Sequence, residues 1–526
     1  MIFDLERDEV PAQVDAQVCI VGGGAVGLAM AARLAQSGVD VVLLEGGGRS
    51  LETRSQALQK GQSIGHPFAN IEVGRYRTLG GSTTYWGGQV LPFDAFVTGE
   101  RPWLGYDAWP VAEDVLRRYF EEAYGLIGLG AMERDNAAVW KSLGGAVPDL
   151  GPDLSLEMTR WLKVRNFSRL FGRALKDASG PRTYVHANVV GMEMNGDAVV
   201  HALHARALNG RTMTVRARSF ILANGTLEIA RLLMHPLISG RDAPWSRSEW
   251  LGRPLVDHLD CAAGEVKVLD HTRFHQIFDN IYVGGHKYYP KVRLSPEVQR
   301  AEGLTDIAAQ FLYKTRFSEH LDYLKQFLRS IREGGGDVSL LKLPQHVAAV
   351  AATTVPLALR YFRDRRSFKP KDAEVTLVFY SEQLPCARSR LLLSQETDAL
   401  GMRQLAVDWQ IDGREMATMK HFGRTLQREF KQRNLAEITL DPRLEAEDPS
   451  FISIIHDAVH QMGVTRMGRS AAEGFVDSDL KVFGTRNLYV AGAAVFPSTG
   501  FANPTFTAIA LALRLCDHLE TVSDER

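Results

Sequence analysis

The chain has 526 residues, 45% hydrophobic and 23% charged, enough to bury a large core and to form two domains. With 61 basic and 62 acidic side chains its formal charge is -1, which argues against nucleic acid or an acidic membrane as partner. Four scattered cysteines (Cys19, Cys261, Cys386, Cys516) lack the CxxC spacing of a zinc or iron–sulfur site, so buried thiols and no metal are expected. The acidic start has no basic region followed by an apolar run, so a cytoplasmic protein is expected.

The first element is Val18-Cys19-Ile20-Val21, a buried-type strand running into Gly22-Gly23-Gly24-Ala25-Val26-Gly27. A helical rhythm follows, then Val41-Val42-Leu43-Leu44-Glu45 as a second strand. Gly22 permits the sharp turn, Gly24 lets a pyrophosphate approach the backbone, and Gly27 lets helix and strand pack closely. Ala25 and Val26 open the helix whose free amides face that phosphate. Glu45 stands where a carboxylate reaches ribose hydroxyls, which disfavours a 2'-phosphate and hence NADP.

Next comes a glycine-rich loop, 77–88, in which Gly80, Gly81 and Ser82 offer backbone amides to a flat ring or a phosphate. Tyr85 and Trp86 argue against a merely flexible turn. Segments 183–190 and 199–207 alternate as strands and are expected to form a small sheet over the first. Residues 219–226 give a buried strand with a turn, followed by a helix at 227–234. Asn487 to Gly492 returns a further strand to the same unit. Val189, Ala223, Gly492 and Ala493 are therefore expected at the nucleotide.

Between 266 and 449 the character changes. A charged helical stretch at 317–333 and the Gly334-Gly335-Gly336 break accompany strand-like runs at 374–380, 389–393 and 404–409, expected to build one antiparallel sheet. The apolar run 347–359 contains Pro356 and is too short for a membrane span, so a buried helix is expected, with an interfacial or partner-docking helix as the alternative. The expected fold is α/β: a discontinuous Rossmann-like dinucleotide-binding domain (10–95, 180–265, 455–526) and an α+β substrate domain on an antiparallel sheet (96–179, 266–454).

Near the end, Asn503-Pro504-Thr505 opens an apolar helix, with asparagine as cap and proline at the first helical position. His460 precedes it in His460-Gln461-Met462-Gly463. These two motifs, with 474–477, Asn487-Leu488, the Gly80-Gly81-Ser82 loop, 252–258 and 382–385, resemble in order and spacing the glucose-methanol-choline flavoprotein oxidoreductases. The ending Ala502-Asn503-Pro504-Thr505 is most similar to the branch of pyranose oxidases and sugar dehydrogenases.

The resemblance implies FAD as cofactor, His460 as catalytic base and Asn503 as its partner. It implies non-covalent FAD, because Tyr85 stands where some pyranose oxidases carry a linking histidine. It also places Asp257-His258 in a family block, where His258 is expected to be structural. Histidine has the basicity to take a hydroxyl proton near neutral pH, and an asparagine amide can hold the same oxygen. Arg466 is expected either to bind substrate or flavin or to make a structural ion pair. His456 and His460 lack a third ligand for a metal.

The expected activity is oxidation of a hydroxyl on a sugar, glycoside or polyol, with oxygen or an unknown carrier as acceptor. Three alternatives stay open at this point: a dehydrogenase for a non-sugar alcohol using a non-oxygen acceptor or partner subunit, a redox-neutral lyase of the same fold, and a nicotinamide enzyme.

Overall fold

The computed structural model describes residues 1–239, 243–314, 323, 342–367 and 373–524. The charged stretch 317–333, save Tyr323, and the Gly334-Gly335-Gly336 triplet lie outside the described residues.

Strand Val41–Leu44 is buried at every position, as the middle of a sheet covered on both faces requires. Across this sheet the strands run Ile2–Asp4, Arg182–Val185, Val41–Leu44, Gln13–Val21, Thr212–Leu222, Val200–Arg206, Asn188–Met194. The first five pair in parallel and the last two antiparallel. Leu488–Val490 returns late in the chain to pair in parallel with Phe220–Leu222. Helix Ala25–Gln36 follows the central strand and packs on helix Thr505–Asp524, which also packs on Glu113–Leu126.

The small separate sheet expected from 183–190 and 199–207 does not form. Arg182–Val185 joins the parallel strands, and the other two strands extend the same sheet. The reason is the length of Thr212–Leu222: its beginning pairs with Val200–Arg206 while Thr214–Leu222 pairs with Gln13–Val21, so one strand carries both ladders.

The second sheet is antiparallel, in the order Ala436–Leu440, Leu259–Val268, Glu374–Ser381, Ile307–Lys314, His286–Leu294, Leu154–Trp161, Gln89–Val90. His456–Asp457 adds to Leu259–Val268. The runs at 389–393 and 404–409 are strands but not part of this sheet: Arg390–Thr397 and Arg403–Asp408 form a separate one with Gly61–Ser63, because the third partner comes from the amino-terminal part of the chain.

Residues 347–359 lie within helix Leu343–Asp364, and where side chains of that run are described the expected burial fails, with Val347 and Leu359 exposed; Phe362, just beyond it, is 81% exposed. A helix apolar on several faces but lying at a surface must leave some of them in water. No helix among the described residues is long and apolar enough to cross a membrane.

Candidate active site

The carboxyl ends of the parallel strands open onto one cavity, the position at which open α/β sheets bind ligands. At one end the glycine loop forms its floor. Gly22 has φ +106°, and a Cβ there would meet the Asn224 backbone at 2.5 Å. Gly27 sits against the Gly22 carbonyl with no room for a side chain. Glu45 accepts hydrogen bonds from the amides of Gly23 at 2.8 Å and Gly47 at 2.7 Å, so it holds the loop as well as facing the cavity. Burial pushes its carboxyl up, and those amides with Arg77 oppose the rise. On the same cavity wall, desolvation alone would raise the half-buried Glu228, but Arg231, Arg75 and Arg77 carry it down to about 2.

At the other end four segments converge on an imidazole. Val256 bridges Met462, and Leu259 pairs with Asp457, so the strand carrying His258 runs antiparallel to the one carrying His460. Between those pairings Val459 takes φ +63°, a strained conformation for a β-branched residue. The strain is held by Asp257, whose carboxylate accepts the amides of Ala458 at 3.1 Å, His460 at 3.0 Å and His258 at 2.7 Å. The rings then meet, with His258 Nδ1 and His460 Nδ1 2.9 Å apart. On the far side of the ring, Asn503 Nδ2 lies 3.0 Å from His460 Nε2.

Buried charges of the antiparallel sheet fix the remaining segments. Glu382 and Arg101 pair through two bonds of 2.6 and 2.7 Å, both fully buried. Glu382 also accepts the Thr499 amide, and Asp306, paired with Arg293 at 2.8 Å, accepts the Phe501 amide at 3.1 Å, which anchors the turn leading to Asn503. The neighbouring Gln383 oxygen takes the Asp257 amide at 3.0 Å and the Trp409 indole at 2.9 Å. Burial lowers His460 well below the usual imidazole value, and His258 and Lys291 lower it further. Burial also carries His258 down to about 4 and Lys291 to about 8.

Of the residues singled out from sequence, Gly22, Gly24, Ala25, Val26 and Glu45 line the cavity at the loop end. Gly81, Ser82, Val189 and Ala223 line its walls, and His460, Gly492, Ala493, Pro504 and Thr505 close the other end. Gly27, Gly80 and Asn503 do not line it; Gly27 packs helix on strand, and Asn503 reaches the site through His460. Arg466 makes no ion pair among the described residues, and its guanidinium lies 4.7 Å over the Trp250 ring. His258, expected to be structural, touches His460. Asn188, Asn224, Arg75 and Arg77 line the cavity unanticipated; Arg77, Asn188 and Asn224 sat inside segments noted in the sequence, and Arg75 did not.

Whether a dinucleotide fits can be tested on the wall itself. A Cβ at Gly24 or Gly492 would meet nothing within 4 Å, so the backbone there is bare to a ligand. Helix Ala25–Gln36 has no acidic side chain in its first turn, leaving its amide end open to an anion. Asn224 Oδ1 and Gln461 Nε2 are buried on the same wall without a hydrogen bond in the protein. Bare backbone, an anion-binding helix end, a ribose-type carboxylate and unsatisfied polar atoms together fit FAD.

Comparison with known proteins agrees. Residues 385–512 match the family model for GMC oxidoreductases, and residues 20–76 match an NAD(P)-binding Rossmann-like domain. C-glycoside 3-oxidase of Microbacterium trichothecenolyticum is 27% identical over 143 residues, 27% of this chain and 26% of that protein. The C-glycoside 3-oxidase of Arthrobacter globiformis is 29% identical over 118 residues, 22% of this chain and 21% of that one. These matches span about a quarter of the curated relatives' length or less.

A solved formate oxidase variant from Aspergillus oryzae RIB40 superposes with TM-score 0.57 at 16% identity, covering 98% of this chain and 100% of that one. Pyridoxine 4-oxidase from Mesorbium loti gives 0.54 at 17% identity, covering 96% and 99%. Residues 385–512 thus match a GMC oxidoreductase carboxy-terminal domain and residues 20–76 a Rossmann-like dinucleotide domain, and the cofactor these two matches support is FAD.

Proposed function

We propose that the protein oxidises a hydroxyl group of a sugar, glycoside or related polyol to the carbonyl, with His460 as base and Asn503 as its partner. The observation that carries this reading is the 3.0 Å contact between Asn503 Nδ2 and His460 Nε2 at the end of the cavity that starts at the glycine loop. Bound FAD supplies the two-electron acceptor for the hydride that leaves the alcohol carbon. His460 takes the hydroxyl proton at Nε2, and its lowered pKa keeps that nitrogen free at neutral pH. Asn503 offers its amide to the same oxygen and so turns the C–H bond away from the imidazole. The strained backbone at Val459, held by Asp257, fixes the ring before substrate arrives.

Gly22, Gly24 and the amides of Ala25 and Val26 would hold the pyrophosphate, and Glu45 the ribose. Gly81, Ser82, Val189, Ala223, Gly492, Ala493, Pro504 and Thr505 would enclose the rest. Tyr85 is 59% exposed and does not line the cavity, in keeping with FAD held without a covalent bond. Acid precipitation should then release the flavin into the supernatant. We assign residues 10–95, 180–265 and 455–526 to the cofactor and 96–179 and 266–454 to the substrate.

The names of the two curated relatives favour a ring hydroxyl of a glycoside and oxygen as acceptor. The test is anaerobic bleaching of the holoenzyme's flavin by a panel of free sugars, C-glycosides and simple alcohols, followed by peroxide measurement in air. Bleaching by a sugar or glycoside is expected; a flavin that no member of the panel bleaches would overturn the reading. Peroxide below dye reduction would move the acceptor from oxygen to a carrier.

A further inference from the structure

We infer that His258 is a positioning residue for His460: it accepts the Nδ1–H of His460 and thereby keeps the Nε2 lone pair turned toward the substrate hydroxyl. The inference rests on the reading of His460 as base and adds the residue that sets its tautomer.

The backbone makes the pair. Val256 opposite Met462 puts position 258 opposite position 460 in the same register, and the Asp257 carboxylate binds the amides of both histidines. At 2.9 Å the two Nδ1 atoms share one proton. Were it on His258, the one N–H of neutral His460 would sit on Nε2, donor against the Asn503 amide nitrogen, and the base would have no lone pair to offer. With the proton on His460 Nδ1, Nε2 carries the lone pair: it accepts from Asn503 before substrate binds, and accepts from the hydroxyl when the Asn503 amide turns to the substrate oxygen. His258 is then protonated at Nε2, and the backbone of Thr499 and Gly500 favours a proton on this ring. This second arrangement is the one in which both contacts of His460 in the row, with His258 and with Asn503, pair a donor with an acceptor.

The row explains why a neutral partner stands where a carboxylate would bind an imidazole more tightly. The charged groups acting on the two rings are Lys291 from the antiparallel sheet and Glu382, itself held by Arg101. With Lys291 nearby, a second cation on His258 is disfavoured, so a proton taken from substrate stays on His460, and His258 keeps accepting the Nδ1–H.

The experiment uses the FAD holoenzyme with ring-15N histidine, and two variants. His258→Asn keeps an oxygen acceptor near the Nδ1 position; His258→Leu removes it. In the wild type, NMR should report His460, assigned by its loss in His460→Gln, with the proton on Nδ1 and none on Nε2. A proton on Nε2 overturns the inference without any substrate being needed. In anaerobic flavin reduction by D-glucose and by a C-glucoside, His258→Leu should slow the limiting rate about 100-fold with KM little changed, and His258→Asn should recover most of it. Equal rates in His258→Leu and wild type, beside a dead His460→Ala, would remove His258 from this role while leaving the base assignment intact. An active His460→Ala would instead bring down the base itself. If His258→Leu does not fold, the wild-type tautomer and the His258→Asn rate still decide.

Discussion

The two ends of the cavity are built in opposite ways. At the glycine loop, residues 18–45 make strand, turn, helix and strand in one stretch, and the working groups are backbone amides and one carboxylate. At the imidazole end, residues near 257, 382, 460 and 500 come together from across the chain, held by buried charges such as Arg101–Glu382 and Arg293–Asp306. Cofactor binding is thus a property of a local segment, whereas the chemistry depends on how the antiparallel sheet grips two turns. Damage to each end should have a different signature.

The sharpest break is His460→Ala, which should keep FAD at wild-type stoichiometry and lower turnover by about 1000-fold or more, read by stopped-flow flavin reduction. Activity close to wild type would erase the proposed division of labour. Next, Arg101→Met strands a buried carboxylate and should cost about 3–5 kcal/mol in urea unfolding, with the imidazole end losing activity even in chains that retain flavin.

Acid should strike the same end. The fold holds His258 neutral down to about pH 4, whereas the ordinary value is 6.5, so between those limits the unfolded chain binds the extra proton. Stability should therefore fall as pH is lowered through that window, by about 3 kcal/mol in all, and the fall should be shallower in His258→Asn. Urea unfolding at stepped pH measures it; identical slopes for both proteins would contradict it.

Gly22→Val should leave the imidazole end assembled but weaken FAD about 100-fold, because a side chain at φ +106° meets the Asn224 backbone; flavin titration of the apoprotein reads this. Smallest of all, Phe362→Ser on the exposed helix should change unfolding free energy by under about 0.5 kcal/mol and leave both ends untouched.

This contrast also explains what the sequence disclosed. The glycine unit was legible because its turn, helix and carboxylate are neighbours in the chain, and His460 because a motif surrounds it. His258 was seen as part of a block but not as the partner of His460, since that contact depends on the register of two strands some 200 residues apart. The Arg101–Glu382 pair spans 281 residues, and nothing local marks arginine 101. Alternation gave strands at 183–190 and 199–207, the first of which is split between Arg182–Val185 and Asn188–Met194, and strand-like runs at 389–393 and 404–409, yet none of these said which sheet each would join. The apolar run in helix Leu343–Asp364 concealed the exposure of Val347 and Leu359, because an all-round apolar pattern does not tell which side meets water.

The late return of Leu488–Val490 to the parallel sheet has a bearing on how the protein comes into being. Residues 491–493, 504, 505 and 508, which follow that strand, complete the cavity wall, so a nascent chain still held at the ribosome before them has a glycine loop but an open pocket. Flavin capture must then wait for the finished polypeptide, and a translation product arrested near residue 480 should emerge colourless where the full-length one emerges yellow.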